Sequence, residues 1–228
     1  MFEAIVLAGG LGSRLREIVP DRPKPMALVA GRPFLEIVIR SLATKGVSRV
    51  VLSLGFMAEM IINHFGNHFA GVELAYVVEE RPLGTGGAVR LAMTKCVQES
   101  FFVLNGDTFL DLEVADVNIF WQKKRNLVIV ARQVLDTSRY GRLLVEDGLI
   151  KGFTEKGISG PGLINAGCYV FSRGQLDAYE VNRPFSLETD YLINAVQNAP
   201  VDVFVTNGHF IDIGVPEDYY RAQMEFQR

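Results

Sequence analysis

The sequence predicts a doubly wound α/β fold: a mixed, largely parallel sheet with helices on both faces and a small β-rich insertion. Short apolar runs alternate with segments of helical periodicity through the first half of the chain, the rhythm of strands joined by crossover helices. The strand-like runs end in loops rich in Gly or Asn/Asp, as strands that feed helices do. A chain of 228 residues with 49% hydrophobic and 21% charged residues buries a sizeable core without disulfide or metal staples. With no Pro/Ser-rich linker, repeat or low-complexity tract, residues 1–228 read as a single domain.

The elements follow in order. Ala4-Ile5-Val6-Leu7 is a buried strand ending at Gly9-Gly10. Pro33 opens a helix in which Phe34, Leu35, Val38, Ile39 and Leu42 recur at helical spacing, and Gly46 closes it. A strand over 50–54, a helix over 57–65, a strand over 74–78 and a helix over 88–93 come next. A strand over 101–104 then runs into Asn105-Gly106-Asp107. The second half is more mixed, with a strand over 127–130. Two short strands, 143–145 and 149–150, flank Asp147-Gly148, a hairpin signal. A strand over 163–171, a helix over 187–196, a strand over 201–205 and a terminal helix opened by Pro216 complete the chain.

Composition narrows the function. A net charge of −3 disfavours nucleic acid as a partner, whereas a small anionic ligand needs only a few placed cations. Cys96 and Cys168 lie far apart and read as free thiols in a reducing compartment. The N-terminus carries no basic n-region and the chain no membrane-length apolar run, so neither signal peptide nor membrane span is expected and the cytoplasm is the expected location. His64 and His68 lie four apart on a helix-like stretch but lack the acid of a zinc-protease motif, so a solvated helix face is expected. No Ser-His-Asp set or Gly-x-Ser-x-Gly elbow stands out. The chemistry therefore does not call for a strong base.

The residues that carry chemistry cluster at strand ends, where doubly wound sheets bind ligands. Leu7-Ala8-Gly9-Gly10-Leu11-Gly12-Ser13-Arg14 follows the first strand. Its glycines let backbone N–H groups approach an anion, and Arg14 adds a fork for phosphate oxygens. Pro23-Lys24-Pro25 adds a point charge on a stiffened loop. No Gly-Lys-Ser/Thr follows, so this is not a Walker loop, and Leu15 stands where a dinucleotide fingerprint needs its third glycine. Asp107 ends a strand, and Asp212 lies between Ile211 and Ile213. Two such carboxylates suit one Mg²⁺. The loop Glu79-Glu80-Arg81-Pro82-Leu83-Gly84-Thr85-Gly86-Gly87 has a small-residue tip on which a flat ring can lie, and Glu155-Lys156 and Asn165-Ala166-Gly167 add polar groups.

Taken together and in this order, the motifs at 7–14, 23–25, 82–88, 105–107, 165–167 and 212–218 resemble the signature of the sugar-1-phosphate nucleotidylyltransferases across nearly the whole chain. The resemblance runs nearest to the D-glycero-α-D-manno-heptose 1-phosphate guanylyltransferases, supported by 162–167 and 210–220, and next to the mannose-1-phosphate guanylyltransferases. The chain ends before the C-terminal β-helix that many of the latter carry. A short catalytic domain of this kind also resembles N-acetylmuramate 1-phosphate uridylyltransferase.

The resemblance implies a Rossmann-like sheet of the nucleotide-diphospho-sugar transferase type. It implies attack of a sugar-1-phosphate oxygen on the α-phosphorus of a nucleoside triphosphate, with pyrophosphate leaving. Leu7, Ala8, Gly9, Gly10, Gly12, Ser13, Glu79, Pro82, Gly84 and Thr85 are then expected at the nucleotide. Arg14, Lys24 and Lys156 are expected at the reacting phosphates, Asn105, Gly141, Glu155 and Asn165 at the sugar, and Asp107 and Asp212 at Mg²⁺. Guanine is the expected base, because its ring N1–H and exocyclic amine are adjacent donors that one carboxylate accepts together. Glu79 is the expected reader and Glu80 the fallback. The implied partners are small molecules only, in a monomer or homodimer serving cell-surface polysaccharide biosynthesis. A non-catalytic nucleotide-sugar sensor and a dinucleotide-dependent oxidoreductase are the alternatives from other classes. The first would be expected to lose Arg14, Lys24 or a metal carboxylate; the second calls for an acid ending the second strand, where Leu54-Gly55 stands.

Overall fold

A computed structural model describes residues 1–10, Leu15 and 18–227. The first half lays down β1 (Phe2–Leu7), a 3₁₀ turn at Lys24–Met26, the small ribbon β2 (Leu28–Val29) and β3 (Arg32–Pro33), and α1 (Phe34–Thr44). β4 (Val47–Leu54), α2 (Ala58–Phe65), β5 (His68–Phe69), β6 (Val72–Val78), α3 (Gly84–Met93), β7 (Ser100–Asn105) and β8 (Thr108–Leu110) follow. The second half holds α4 (Val114–Lys124), β9 (Leu127–Val134), β10 (Leu143–Glu146), β11 (Leu149–Phe153) and β12 (Gly162–Ser172). A π-helical turn at Leu187–Leu192, α5 (Ile193–Asn198), β13 (Val201–Thr206), β14 (Phe210–Asp212) and α6 (Pro216–Glu225) complete it.

A ten-stranded sheet runs β10-β11-β13-β9-β12-β7-β1-β4-β6-β5. β7, β1, β4 and β6 are mutually parallel, whereas β12 runs antiparallel to both β7 and β9. The sheet is thus mixed, with its parallel strands concentrated in the first half and β9–β13 the parallel pair of the second. The β-rich portion is the hairpin β10–β11 at the sheet edge. Asp147 (φ 52°) and Gly148 (φ 75°) both take the positive φ that a two-residue type I′ turn requires.

Both faces of the sheet are covered. Ala4, Val6, Val50 and Leu52 face one apolar layer, shared with Phe34, Leu35, Val38 and Ile39 of α1, Ile61 of α2 and Trp121 of α4. Ile5, Val51 and Val77 face the other, shared with Val89, Ala92 and Met93 of α3 and with Leu187 and Tyr191 of the π turn. Alternate residues of one strand go to opposite layers, and each large apolar side chain fully removed from water contributes about 1.5–3 kcal/mol. Glu3, at 1% exposure, is matched by Arg49 and by the Val97 and Gln98 N–H groups.

Two local expectations change. His64 and His68 do not share a helix: Gly66, at φ 60°, ends α2 and His68 lies in β5, so the helical spacing between them does not exist. His64 instead approaches Glu36 at 3.6 Å. Helix α3 begins at Gly84, four residues before the first apolar residue of its pattern, Ala88. Cys96 and Cys168 are both buried free thiols, and burial pushes the Cys96 thiol up to about 12. No described helix is long and apolar enough to cross a membrane.

Candidate active site

The chain runs outward from β1 to β4 and β6, then returns to place β7 on the other side of β1. That reversal is a topological switch point, and the crevice beyond the carboxyl ends of these strands is where doubly wound sheets take ligands. Backbone bonds draw the strand ends together: Ala8 N–H donates to Ser53 O (2.8 Å), Gly106 N–H to Leu7 O (2.9 Å) and Glu79 N–H to Leu54 O (2.8 Å).

A cavity of about 470 Å³ opens there. Leu7, Gly9, Gly10, Glu79, Pro82, Gly84 and Thr85 line it, seven of the residues expected at a nucleotide; Ala8 is buried behind them. Gly12, Ser13 and Arg14 lie outside the described residues. The half-buried Glu79 accepts the Leu83 N–H on Oε2 (2.8 Å), and a methyl added to Gly9 would meet its Oε1 at 3.0 Å. Burial raises the Glu79 carboxyl above its ordinary value, and the Leu83 N–H opposes the rise. Glu80 also lines the cavity but is exposed. Two N–H groups of the first turn of α3 are already used: Gly86 and Gly87 donate to Phe185 O (3.0 and 3.3 Å). Gly84 makes this clasp possible, with φ 69° and a Cα so close that a Cβ would lie 2.6 Å from Phe185 O.

A second cavity of about 420 Å³ lies beside β12. Asn105, Gly141, Glu155, Lys156, Asn165 and Asp212 line it, bringing together every residue expected at the sugar. A register shift in β12 between Asn165 and Cys168, with Gly167 at φ 68°, turns this stretch out of the ladder, as bulges beside active sites do. Asn165 Nδ2 donates to the Tyr169 hydroxyl (2.8 Å), and its Oδ1 accepts the Gly167 N–H (3.0 Å). The amide is therefore fixed in orientation while keeping one N–H and one lone pair for a ligand.

Lys24 and the acids form the third group. Lys24 Nζ donates to Asp107 Oδ2 at 2.5 Å. Asp212 sits opposite Thr108 in the β8–β14 ladder, and its Oδ1 accepts the Gly214 N–H (2.7 Å). Burial and the neighbouring Asp107 charge push the Asp212 carboxyl up; Lys24 and the Gly214 N–H pull it back. Two carboxylates beside the Lys24 ammonium are hard oxygen donors, and such a donor set fits a divalent cation with oxygen ligands. Among the described residues no three His, Cys, Asp or Glu side chains converge on one point. A cation here would therefore need donors beyond these side chains.

Residues 3–228 match the family described as Nucleotidyl transferase. The chain belongs to that family. Within it, the chain is 37% identical over 229 residues to D-glycero-α-D-manno-heptose 1-phosphate guanylyltransferase of Aneurinibacillus thermoaerophilus, covering 99% of this chain and 98% of the relative. It is 32% identical to mannose-1-phosphate guanylyltransferase of Mycobacterium tuberculosis, of which it spans 65%. Among solved structures, HddC from Yersinia pseudotuberculosis complexed with GMP-PN superposes with a TM-score of 0.87 at 37% identity, covering 99% of this chain and 100% of that one.

Among the side chains that line the second cavity, sequence reasoning missed Tyr140, Tyr169 and Glu188, along with Thr154 and Thr189. Tyr169 is submerged in an apolar strand, and Glu188 follows Ser186 by two residues, where an acid reads as an ordinary helix-start charge. Tyr140 stands next to Gly141, a residue expected at the sugar, but no local pattern singles the tyrosine out.

Proposed function

We propose that this protein transfers GMP from GTP to a sugar 1-phosphate and releases pyrophosphate. D-glycero-α-D-manno-heptose 1-phosphate is the first substrate of this reading and mannose 1-phosphate the second. The observation that carries it is the arrangement of two adjoining cavities with the Lys24, Asp107 and Asp212 group, in a chain matched end to end by a heptose 1-phosphate guanylyltransferase.

The nucleophile arrives already ionised, so the protein has to overcome anion–anion repulsion and align two reactants rather than remove a proton. Lys24 offsets charge on the reacting phosphates, and its neighbour Asp107 keeps the ammonium in place. Asp107 and Asp212 would hold Mg²⁺, which when bound supplies further neutralisation of phosphate charge. Lys156 holds the sugar phosphate; Glu155, Asn165, Asn105 and the Gly141 backbone meet sugar hydroxyls. Gly9 and Gly10, with Gly12, Ser13 and Arg14, cradle the triphosphate. Glu79 reads guanine: its Oε1 and the remaining lone pair of Oε2 accept the two adjacent donors of the base.

This reading makes residues 1–228 one catalytic domain acting on small molecules in the cytoplasm, where GTP is supplied, as a monomer or homodimer. Its product would serve cell-surface polysaccharide biosynthesis. The test is product identification: incubation with GTP, Mg²⁺ and D-glycero-α-D-manno-heptose 1-phosphate should give GDP-heptose by mass spectrometry, together with equimolar pyrophosphate. A nucleoside diphosphate sugar formed only from UTP would replace this reading with the uridylyltransferase one.

A further inference from the structure

Glu188 sits on the π-helical turn Leu187–Leu192, and with Thr189, Leu192 and Ile193 it forms one wall of the second cavity. Such turns are rare and concentrate at functional sites. Its carboxylate is held by hydroxyls: Oε2 accepts from Thr85 Oγ1 at 2.6 Å and from Ser186 Oγ at 3.1 Å. Thr85 is fixed in turn by the Leu187 N–H at 2.9 Å, and Ser186 Oγ caps the turn by accepting the Thr189 N–H at 3.1 Å. Among the described residues Glu188 has no cationic partner, and its Oε1 takes no protein hydrogen bond. The Glu188 charge also reaches the Tyr169 hydroxyl, which burial first and Glu188 second push above its ordinary value. Asn165 is bonded to that same hydroxyl.

We infer that Glu188 is a specificity-determining residue of the sugar cavity, its Oε1 accepting hydroxyl groups of the sugar while Thr85 and Ser186 hold the carboxylate in position. This rests on the reading of the second cavity as the sugar site. An ionised carboxylate only accepts hydrogen bonds. Placed against the sugar phosphate it would repel it, so it faces the neutral, hydroxyl-bearing end, and Lys156 marks the phosphate end. The Thr85 anchor adds a consequence. Thr85 lines the nucleotide cavity and begins the helix clasped to Phe185, so one hydroxyl bridges the two binding regions.

The experiment is a substrate–variant cycle on the full chain. Pyrophosphate release is followed with saturating GTP and varied heptose 1-phosphate, and with its monodeoxy analogues. In the wild type, removing the hydroxyl that Glu188 receives should raise KM about tenfold or more, the scale of a hydrogen bond to a charged group. Glu188→Gln should raise the KM for the full sugar by a similar factor of about ten, leave the KM for GTP unchanged, and show no further penalty for that one deoxy analogue. A structural role alone would lower the melting temperature and kcat but would not erase the contribution of one hydroxyl. If Glu188→Gln does not fold, Glu188→Asp, which keeps the charge with a shorter reach, should reduce the same deoxy penalty. Equal deoxy penalties in wild type and variant, with an unmoved sugar KM, overturn the inference and leave the guanylyltransferase reading intact. A wild type that releases no pyrophosphate from GTP with any sugar 1-phosphate overturns both.

Discussion

The two cavities are built by different means. The nucleotide side is made of loops that follow β1, β4 and β6, successive parallel strands, and it is held by main-chain bonds such as Ala8 N–H to Ser53 O and Glu79 N–H to Leu54 O. The sugar side is assembled from the β12 bulge, the loops bounding β10 and β11, the π turn and β14, segments spread between Asn105 and Asp212, with side-chain bonds such as Asn165 to Tyr169 and Thr85 to Glu188 added to main-chain ones such as Ile213 N–H to Asp107 O. A cavity of backbone tolerates side-chain exchange around it, whereas one of side chains changes specificity with each exchange. The acids Asp107 and Asp212, with Lys24, adjoin the sugar side, yet Asp107 follows β7, whose end is bonded to β1 through Gly106.

Substitutions should separate these regions. Asp107→Asn or Asp212→Asn should cut kcat on the order of a hundredfold or more, as loss of an electrostatic contact to the reacting phosphates does. Circular dichroism should show the fold retained, and near-wild-type rates at saturating Mg²⁺ would remove both acids from the reaction. Lys156→Ala should raise the sugar-phosphate KM by about ten- to a hundredfold, the scale of a charge-assisted hydrogen bond, with little change for GTP. A change in GTP KM alone would mean that the cavities are assigned the wrong way round. Glu79→Gln should act only on the other side, narrowing the preference for GTP over UTP by about tenfold, read as a ratio of kcat/KM values.

Backbone packing gives a smaller effect. Gly84→Ala forces a Cβ to within 2.6 Å of Phe185 O at φ 69°, which should lower stability by about 1–3 kcal/mol, measured by urea unfolding. The same clasp positions the Thr85 end of α3, so sugar KM should rise with it. The smallest expected effect is on pH dependence. The Glu79 carboxyl is raised in the folded state by burial, so its contribution to stability is present below the unfolded value and is lost as pH rises through the folded value. Glu79→Gln should therefore flatten the stability–pH curve between those two values, and GTP affinity in the wild type should fall as pH drops through the folded value. An unchanged curve would place Glu79 in solvent.

The two regions also differ in how far the sequence discloses them. Apolar runs such as Ala4-Ile5-Val6-Leu7, each followed by a small-residue loop, mark parallel strands and the crevice beyond them, because their burial on both faces leaves no polar interruption. Asp147-Gly148 discloses the hairpin, since few residue pairs adopt two positive φ angles. Helix α4 escapes notice because Val114, Val117 and Trp121 are its only buried residues, set among Asp116, Asn118 and Gln122, and Glu113 forms no side-chain cap. The pairing of β8 with β14 joins segments about a hundred positions apart through three residues each, too few to show periodicity. Glu188 was invisible for a related reason: its meaning comes from Thr85, 103 positions away, and no local pattern records that contact.

The most direct test of the guanylyltransferase account is a matrix of kcat/KM values for ATP, CTP, GTP, UTP and dTTP against heptose, mannose, glucose and N-acetylmuramate 1-phosphates, read by pyrophosphate release. The account predicts the highest value for GTP with D-glycero-α-D-manno-heptose 1-phosphate and the next for GTP with mannose 1-phosphate. UTP and dTTP should be strongly discriminated against, because a pyrimidine offers Glu79 a single ring donor between two carbonyls. A maximum at UTP with any of these sugars would contradict it.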